Sequence, residues 1–456
     1  MKIKSHKKDS GISTYRLVSV AFAVAIGIGM LLLSLPVSNS GGSWNFGIDA
    51  LFTATSATCV TGLDSVGIGT TFSTFGLIVI AVLSQLGGIG IMTAGTFFFM
   101  AMGRRISVHE ERVIMNTLGE DVAGGVAHII RQTLFFTFSW ELAGAAIFAW
   151  RLQSKHDFEP IRALGHGVFM SIMAFCNSGL GLFSDSLCRF AEDKVIMLTT
   201  VALVVVGGIG FIVHANLLSL RPWHRNHRQR GRLSLHSYIV VKTTALIILV
   251  GGALYLLMEW NGTLKGFDAG DKIIGALFQM TSARTAGLSS VDTGAMHNSS
   301  VILSMVIMFI GASPGSTGGG IKVTSAAILF GLMRSILRNR EYTEIRNRSI
   351  PDRVVKNAVT VTVVSLVIIA VATFVSLITE ETTVGSFRDT AFEIISAFST
   401  AGLSLGATKD LTDVGKICVI ICMYIGRIGP VTLAMAMAAK STPSTRHFPE
   451  ENVIIG

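Results

Sequence analysis

Charge is what this chain has least of. Only 14% of its 456 residues are Asp, Glu, Lys or Arg, where a soluble domain carries about 25%. That shortage excludes a chain solvated on every side. Half of the residues are hydrophobic, and apolar runs near twenty residues recur, the length that crosses a hydrocarbon core. The sequence reads as an all-α polytopic membrane protein. Cysteine is scarce as well, with five in the whole chain. Cys418 and Cys422 sit four apart and share a helix face, but no further ligands accompany them. They read as small packing residues, and neither a disulfide framework nor a metal site is implied.

The charge that is present is uneven. Lys and Arg number 37 against 28 Asp and Glu, a net charge of +9. A nucleic-acid binder would spread this charge over a surface. Here it gathers in short segments between apolar spans: MKIKSHKK at the start, GRRISVHEER at 103–112, RPWHRNHRQRGR at 221–232, RSILRNREYTEIRNRSIPDR at 334–353, and Lys440 with Arg446 in the tail. That is the positive-inside pattern and concerns orientation. Nucleic acid is not expected; anionic membrane lipid is the more natural neighbour.

Five basic clusters divide the chain into four blocks. Each holds a span, a shorter apolar stretch and a second span. If every cluster is cytoplasmic, each block crosses twice, giving eight transmembrane helices with both termini inside. The divisions are an N-terminus at 1–12, repeat 1 at 13–112, repeat 2 at 113–232, repeat 3 at 233–353, repeat 4 at 354–440 and a tail at 441–456. The first span, Val18 to Leu35, is too long for a signal-peptide core and reads as a retained helix.

The short middle stretches align with one another. They are LFTATSATCVTGL, VFMSIMAFCNSGL, LFQMTSARTAGL and AFEIISAFSTAGL, all closing on Gly-Leu. Self-similarity at this level means four copies of one unit. Each stretch is too short to span and suits a helix that enters the membrane and stops, followed by an extended turn. Irregular backbone at that depth must be buried or line an aqueous path. Four turns around one axis could present rings of carbonyl oxygens that replace the hydration shell of a monovalent cation. The expected filter residues are Val60, Thr61 and Gly62; Asn177, Ser178 and Gly179; Thr285, Ala286 and Gly287; and Thr400, Ala401 and Gly402. The residues before each glycine differ, as ligation by backbone oxygens allows, and no carboxylate lies in the turns.

Three of these loops, ATSATCVTGL, RTAGL and STAGLS, resemble the filter loops of the Ktr/Trk/HKT superfamily of potassium transporters. GASPGSTGGGIK at 311–322 is similar to its intramembrane loop, and MYIGRIGPVTLAMA to its last helix. The match runs from about residue 15 to the C-terminus, and the compact length resembles the Ktr-type membrane subunit more than the longer Trk type. The resemblance implies a pseudo-fourfold arrangement of M1–pore helix–M2 repeats and uptake of K⁺. It also implies a homodimer, each protomer with its own pore, on a cytosolic nucleotide-binding ring, in a bacterial plasma membrane. No nucleotide is expected on this chain, and Na⁺ remains a possible co-ion or activator. Gly62 stands where the sodium-selective plant members carry Ser, which is similar to the potassium-permeable class. Ala283 departs from the Pro that relatives often have there.

The glycine-rich stretch is expected to break the second helix of repeat 3 and to gate the path below the filter. Its residues are Gly311, Ala312, Ser313, Pro314, Gly315, Ser316, Thr317, Gly318, Gly319 and Gly320, with Lys322 beyond. A phosphate-cradling P-loop is excluded because Ile321 separates Gly320 from Lys322 and no strand precedes it. Lys322 reads either as a positive edge of the barrier or as a side chain reaching the cytoplasmic face. Charges at membrane depth tend to be paired or functional. Arg427, halfway down the last span, is expected to latch the broken backbone. Arg284 and Glu393 are expected to form an ion pair behind the filter, if repeats 3 and 4 are adjacent.

An enzyme is not expected. His128, His166 and His214 lie in or beside separate spans with no carboxylate at catalytic spacing, and the sequons at Asn261 and Asn298 matter only in a secretory pathway. The alternative to a channel-like K⁺ subunit is an alternating-access Na⁺/K⁺ symporter or a Trk-type subunit. Because the clear interruption is read in one repeat of four while the turns are in all, the pore is favoured.

Overall fold

The computed structural model describes residues 14–44, 47–90, 126–220, 233–380 and 386–437. The basic segments at the N-terminus, 103–112, 221–232 and the tail lie outside the described residues. Among the described residues four helices are each long and apolar enough to cross a membrane: Arg16–Ser34, Ile130–His156, Leu235–Glu259 and Asp352–Thr379. They lie within α1 (Thr14–Ser34), α4 (Val126–His156), α8 (Leu235–Glu259) and α12 (Asp352–Thr379). Their outer faces carry exposed apolar side chains, such as Val24, Ile28 and Leu31 on α1 and Leu366, Val367 and Phe374 on α12. An apolar face this continuous has hydrocarbon as its solvent.

Each long helix is followed by a shorter one that ends inside the molecule. These are α2 (Ile48–Cys59), α5 (Pro160–Cys176), α9 (Ala269–Ala283) and α13 (Phe387–Ser399). They stop where the sequence reading placed the turns. A third helix follows: α3 (Thr74–Ile89), α6 (Lys194–Ile209), α10 (Asn298–Ile310) and α14 (Asp413–Ile428). Three of these starts are fixed by side-chain caps. Ser73 accepts from Gly76 N, Asp193 from Val195 N and Ile196 N, and Thr412 from Gly415 N, each satisfying donors a helix start leaves open.

The helices pack in a closed cycle. Each third helix lies against the short helix of the next succession, α3 on α5, α6 on α9, α10 on α13, and α14 back on α2. Beyond a break, the chain continues in α7 (Phe211–Ser219), α11 (Val323–Leu337) and α15 (Pro430–Met437). These lean on the next long helix in the same sense, α7 on α8, α11 on α12 and α15 on α1. A two-residue hairpin, Glu344–Ile345 paired with Arg348–Ser349, closes the basic segment 334–353.

The breaks correct one expectation. Interruption was read in repeat 3 alone, yet the chain also turns by 97° between α6 and α7. The helices α3, α6 and α14 end at Gly90, Gly210 and Gly429 with φ of 92°, 94° and 91°. The signal was present as Gly-Gly-Ile-Gly at 87–90 and 207–210 and Gly-Arg-Ile-Gly at 426–429. It is easily missed because one apolar run continues across each break, and hydropathy does not record φ.

Candidate functional site

The four turns meet. A β-carbon placed on Gly62 would lie 2.6 Å from Ser178 O and 2.9 Å from Gly179 Cα. One on Gly179 would lie 2.7 Å from Ala286 O and 2.9 Å from Gly287 Cα, and one on Gly287 would lie 2.8 Å from Ala401 O and 3.0 Å from Gly402 Cα. Gly402 closes the circuit, where a β-carbon would overlap Thr61 O. Each glycine therefore packs on the carbonyl before its neighbour's glycine, and no side chain fits between them. All four also have positive φ, at 100°, 69°, 71° and 82°, which glycine alone adopts without strain.

Two residues before each glycine the backbone is again left-handed, with φ of 57° at Val60, 57° at Asn177, 71° at Thr285 and 48° at Thr400. A β-branched residue there is a genuine outlier, costing about 1–2 kcal/mol. Strain of this kind persists where surroundings over-determine it, as at functional sites. Here the surroundings include Ser56 Oγ, which accepts from Gly62 N at 3.1 Å, and the closing bonds Thr61 N to Ser56 O, Ser178 N to Met173 O and Ala401 N to Ser396 O, each 2.8 Å. The third turn differs: its helix ends two residues before Thr285, and Ala286 N bonds Ser282 O one residue closer in sequence. The residues flanking the glycines are fully buried.

On one side of the ring is an open cavity of about 500 Å³. All four ring glycines line it, and so do Asp64, Asp185 and Asp292. Asp185 is held below the usual carboxylate range: burial pushes it up, but bonds from Arg189 outweigh that. Lys409 lines this antechamber too, and Asp185 is paired with Arg189; no carboxylate lies in the turns themselves, and Asp64, two residues past Gly62, was the available signal for those beyond them.

On the other side lies the glycine-rich loop. Gly319 N donates to Thr400 Oγ1 at 2.9 Å, and Gly318 packs against Thr285 Oγ1 so closely that a β-carbon would overlap it. Thr317 Oγ1 reaches Phe175 O at 3.5 Å. Ser313 N donates to Gly208 O at 3.2 Å and Phe211 N to Gly315 O at 3.1 Å. A β-carbon on Gly210 would lie 2.8 Å from Pro314 O. Ser316 Oγ bonds Ser313 O, and Val323 N bonds Ala312 O, while Gly311 packs on Gly319 O and Gly320 on Ser399. The loop thus touches the ends of three short helices or their turns.

Arg427 ties the loop to the first repeat. Its Nη1 donates to Thr317 O and its Nη2 to Gly87 O, joining the loop to the end of α3. Lys322 Nζ donates to Gly318 O at 2.8 Å, so it turns back onto the loop rather than out to the membrane face.

Arg284 and Glu393 do not meet. Arg284 Nη2 donates to Gly208 O at 3.0 Å, which places the guanidinium at the end of α6. Glu393 accepts from Ser404 Oγ, Leu405 N and Thr408 Oγ1 and holds the segment after the fourth turn. The reason is height: Arg284 caps the end of α9, whereas Glu393 lies six residues before Ser399 at the end of α13, about 9 Å of helix rise away.

A family profile described as TrkH, cation transport protein, matches residues 5–448. The chain belongs to this family. As a TrkH-family protein it is a transport protein and not an enzyme, as the sequence implied. It is 34% identical over 457 residues to Ktr system potassium uptake protein D of Bacillus subtilis, covering 100% of both chains. It is 35% identical to Ktr system potassium uptake protein B of Vibrio alginolyticus, over 97% of this chain and 94% of that one. Potassium/sodium uptake protein NtpJ of Enterococcus hirae is 33% identical, with 100% of both covered. The crystal structure of the potassium transporter TrkH from Vibrio parahaemolyticus superposes with a TM-score of 0.72 at 20% identity, covering 96% of this chain and 87% of that chain. That likeness concerns the fold.

Proposed function

We propose that this chain takes up K⁺ across a bacterial plasma membrane as the channel-like translocating subunit of a Ktr-type system. The observation that carries the reading is the closed circuit of Gly62, Gly179, Gly287 and Gly402, each on its neighbour's carbonyl. Four stacked turns supply neutral oxygens in rings, the donor set a dehydrated monovalent cation needs. The relatives named for potassium uptake support the choice of ion. The one named for potassium and sodium supports Na⁺ as a co-ion or activator. The antechamber's three aspartates outnumber Lys409, and the balance would favour cations at its mouth although Arg189 offsets Asp185.

In this reading each block is an M1–pore helix–M2 unit, and the eight crossings surround one pore with both termini in the cytoplasm. The loop from Gly311 to Lys322 is the barrier beneath the filter and Arg427 its latch. Homodimerisation, a cytosolic nucleotide-binding regulatory ring and annular lipid belong to the same proposal, with the name "Ktr system" of the relatives as support. Because helix breaks recur at Gly210 and Gly429, a single interruption no longer argues for the pore. The reading rests on the circuit of turns instead.

The test is K⁺ and Na⁺ uptake into cells lacking their own K⁺ uptake, with and without a cytosolic partner. Wild type restores growth at low K⁺. Gly62→Ser lowers the preference for K⁺ over Na⁺. Unchanged uptake kinetics in that variant would count against the filter.

A further inference from the structure

Among the buried carboxylates left without a role, one lies mid-way along a long helix, beside the second turn. Glu141 lies mid-way along α4, within the apolar run FFTFSWELAGAAIF, and is 6% exposed. A carboxylate at that depth is costly unless its oxygens are bonded. They are bonded to neighbours of the second turn. Gln85 Nε2 donates to Glu141 Oε2 at 3.1 Å. The Cys176 thiol lies 3.7 Å from Glu141 Oε1 and 3.4 Å from Gln85 Oε1. Carboxylate, amide and thiol thus form a closed triangle between α3, α4 and α5. Ser171 Oγ adds a bond to Glu141 O at 2.6 Å, tying α5 to the same point of α4.

Cys176 is the last residue of α5, directly before Asn177, Ser178 and Gly179. The turn is tied to α3 a second time, where Ser178 Oγ meets Ser84 Oγ at 2.9 Å. Gly88 leaves the thiol its space, since a β-carbon there would lie 2.8 Å from Cys176 Sγ. The same stretch of α3 offers Gly87 O to Arg427, which also holds Thr317 O of the loop. The second turn is therefore joined through α3 to the loop beneath the ring, and Glu141 is the group that fixes α3 against that turn.

We propose that Glu141 is a positioning residue for the second turn of the ring, setting ion preference through Gln85 and Cys176 without touching the ion. Both donors of the triangle, Gln85 Nε2 and the single S–H of Cys176, already face an acceptor within it, which argues for a brace and against a second cation site. The inference rests on the reading of the four turns as the cation path.

The experiment uses the full-length protein, purified and reconstituted in vesicles of phosphatidylethanolamine and phosphatidylglycerol, with K⁺ uptake measured against competing Na⁺. Glu141→Leu keeps the volume but leaves the Gln85 Nε2 donor without its acceptor and the thiol with Gln85 Oε1 alone. It should raise half-saturating K⁺ and lower the K⁺ over Na⁺ preference about tenfold, as loss of a buried acceptor warrants. Maximal flux should move less. Glu141→Gln retains an acceptor for Gln85 and should restore preference to within about twofold of wild type. Unchanged preference in Glu141→Leu would overturn the proposal, and so would equal loss in Glu141→Leu and Glu141→Gln. Should Glu141→Leu fail to insert, Cys176→Ala removes only the thiol and should shift preference in the same direction; no shift would again overturn it. Gly179→Ser separates the two readings. Loss of preference there with none in Glu141→Leu refutes the brace alone, whereas no loss in Gly179→Ser refutes the filter itself.

Discussion

Gly179 and Gly165 make the sharpest contrast among single residues. A β-carbon on Gly179 would meet Ala286 O at 2.7 Å at a φ of +69°, while one on Gly165 in α5 would meet nothing within 4 Å. Gly179→Ala should therefore abolish selective K⁺ uptake. Gly165→Ala should leave uptake intact and stabilise its helix by up to about 1 kcal/mol. Uptake assays paired with membrane-fraction blots check both. Arg427 tests a different bond set. Arg427→Ala frees the Thr317 and Gly87 carbonyls, so basal K⁺ flux should rise several-fold at equal protein level if the guanidinium is a latch; equal flux in the two proteins would rule that role out. Legibility at this scale was uneven. The ring glycines, the loop and Arg427 were readable because each breaks a local rule within an apolar run. The partners of Arg284 and Glu393 were not, because their heights in the membrane follow from where each short helix stops. Glu141 and Asp64 were not legible, because Glu141 sits on a helix far in sequence from the turn it supports and Asp64 lies beyond the repeated Gly-Leu.

At the scale of elements, the four short helices were legible to within a few residues. LFTATSATCVTGL and its three counterparts carry the same closing Gly-Leu, and α2, α5 and α13 end three residues before that glycine, α9 four. The breaks after Ile89, Ile209 and Ile428 were not legible from hydropathy, which stays high across Gly-Gly-Ile-Gly. They matter to mechanism, because a helix divided at one level in several repeats lets inner halves pack on neighbouring long helices. Among the described residues the loop is the longest such break. Deleting Gly315 to Gly320 removes the backbone that contacts Thr285, Thr400 and Phe175. Flux should rise at normal expression; tracer uptake showing no increase would remove the loop from the role of barrier.

For the whole molecule, the closed cycle of packing, α3 on α5 through α14 on α2, is what composition could not supply. Low charge and long apolar runs specify a membrane solvent, and the basic clusters an orientation, but neither states that the fourth unit returns to the first. The repeat of one motif at four places did. If the basic clusters are all cytoplasmic, tags at both termini should be protected from protease added outside intact cells; digestion of either tag would break the eight-crossing topology. The central claim is that Gly62, Gly179, Gly287 and Gly402 form one selective ring. It is tested most directly by measuring the K⁺ over Na⁺ preference of the purified chain in vesicles, with Ser placed at each of the four in turn. The account predicts that all four substitutions reduce the preference, because each displaces a carbonyl of the same ring. Undiminished preference in the four variants, with wild-type amounts reconstituted, would contradict it.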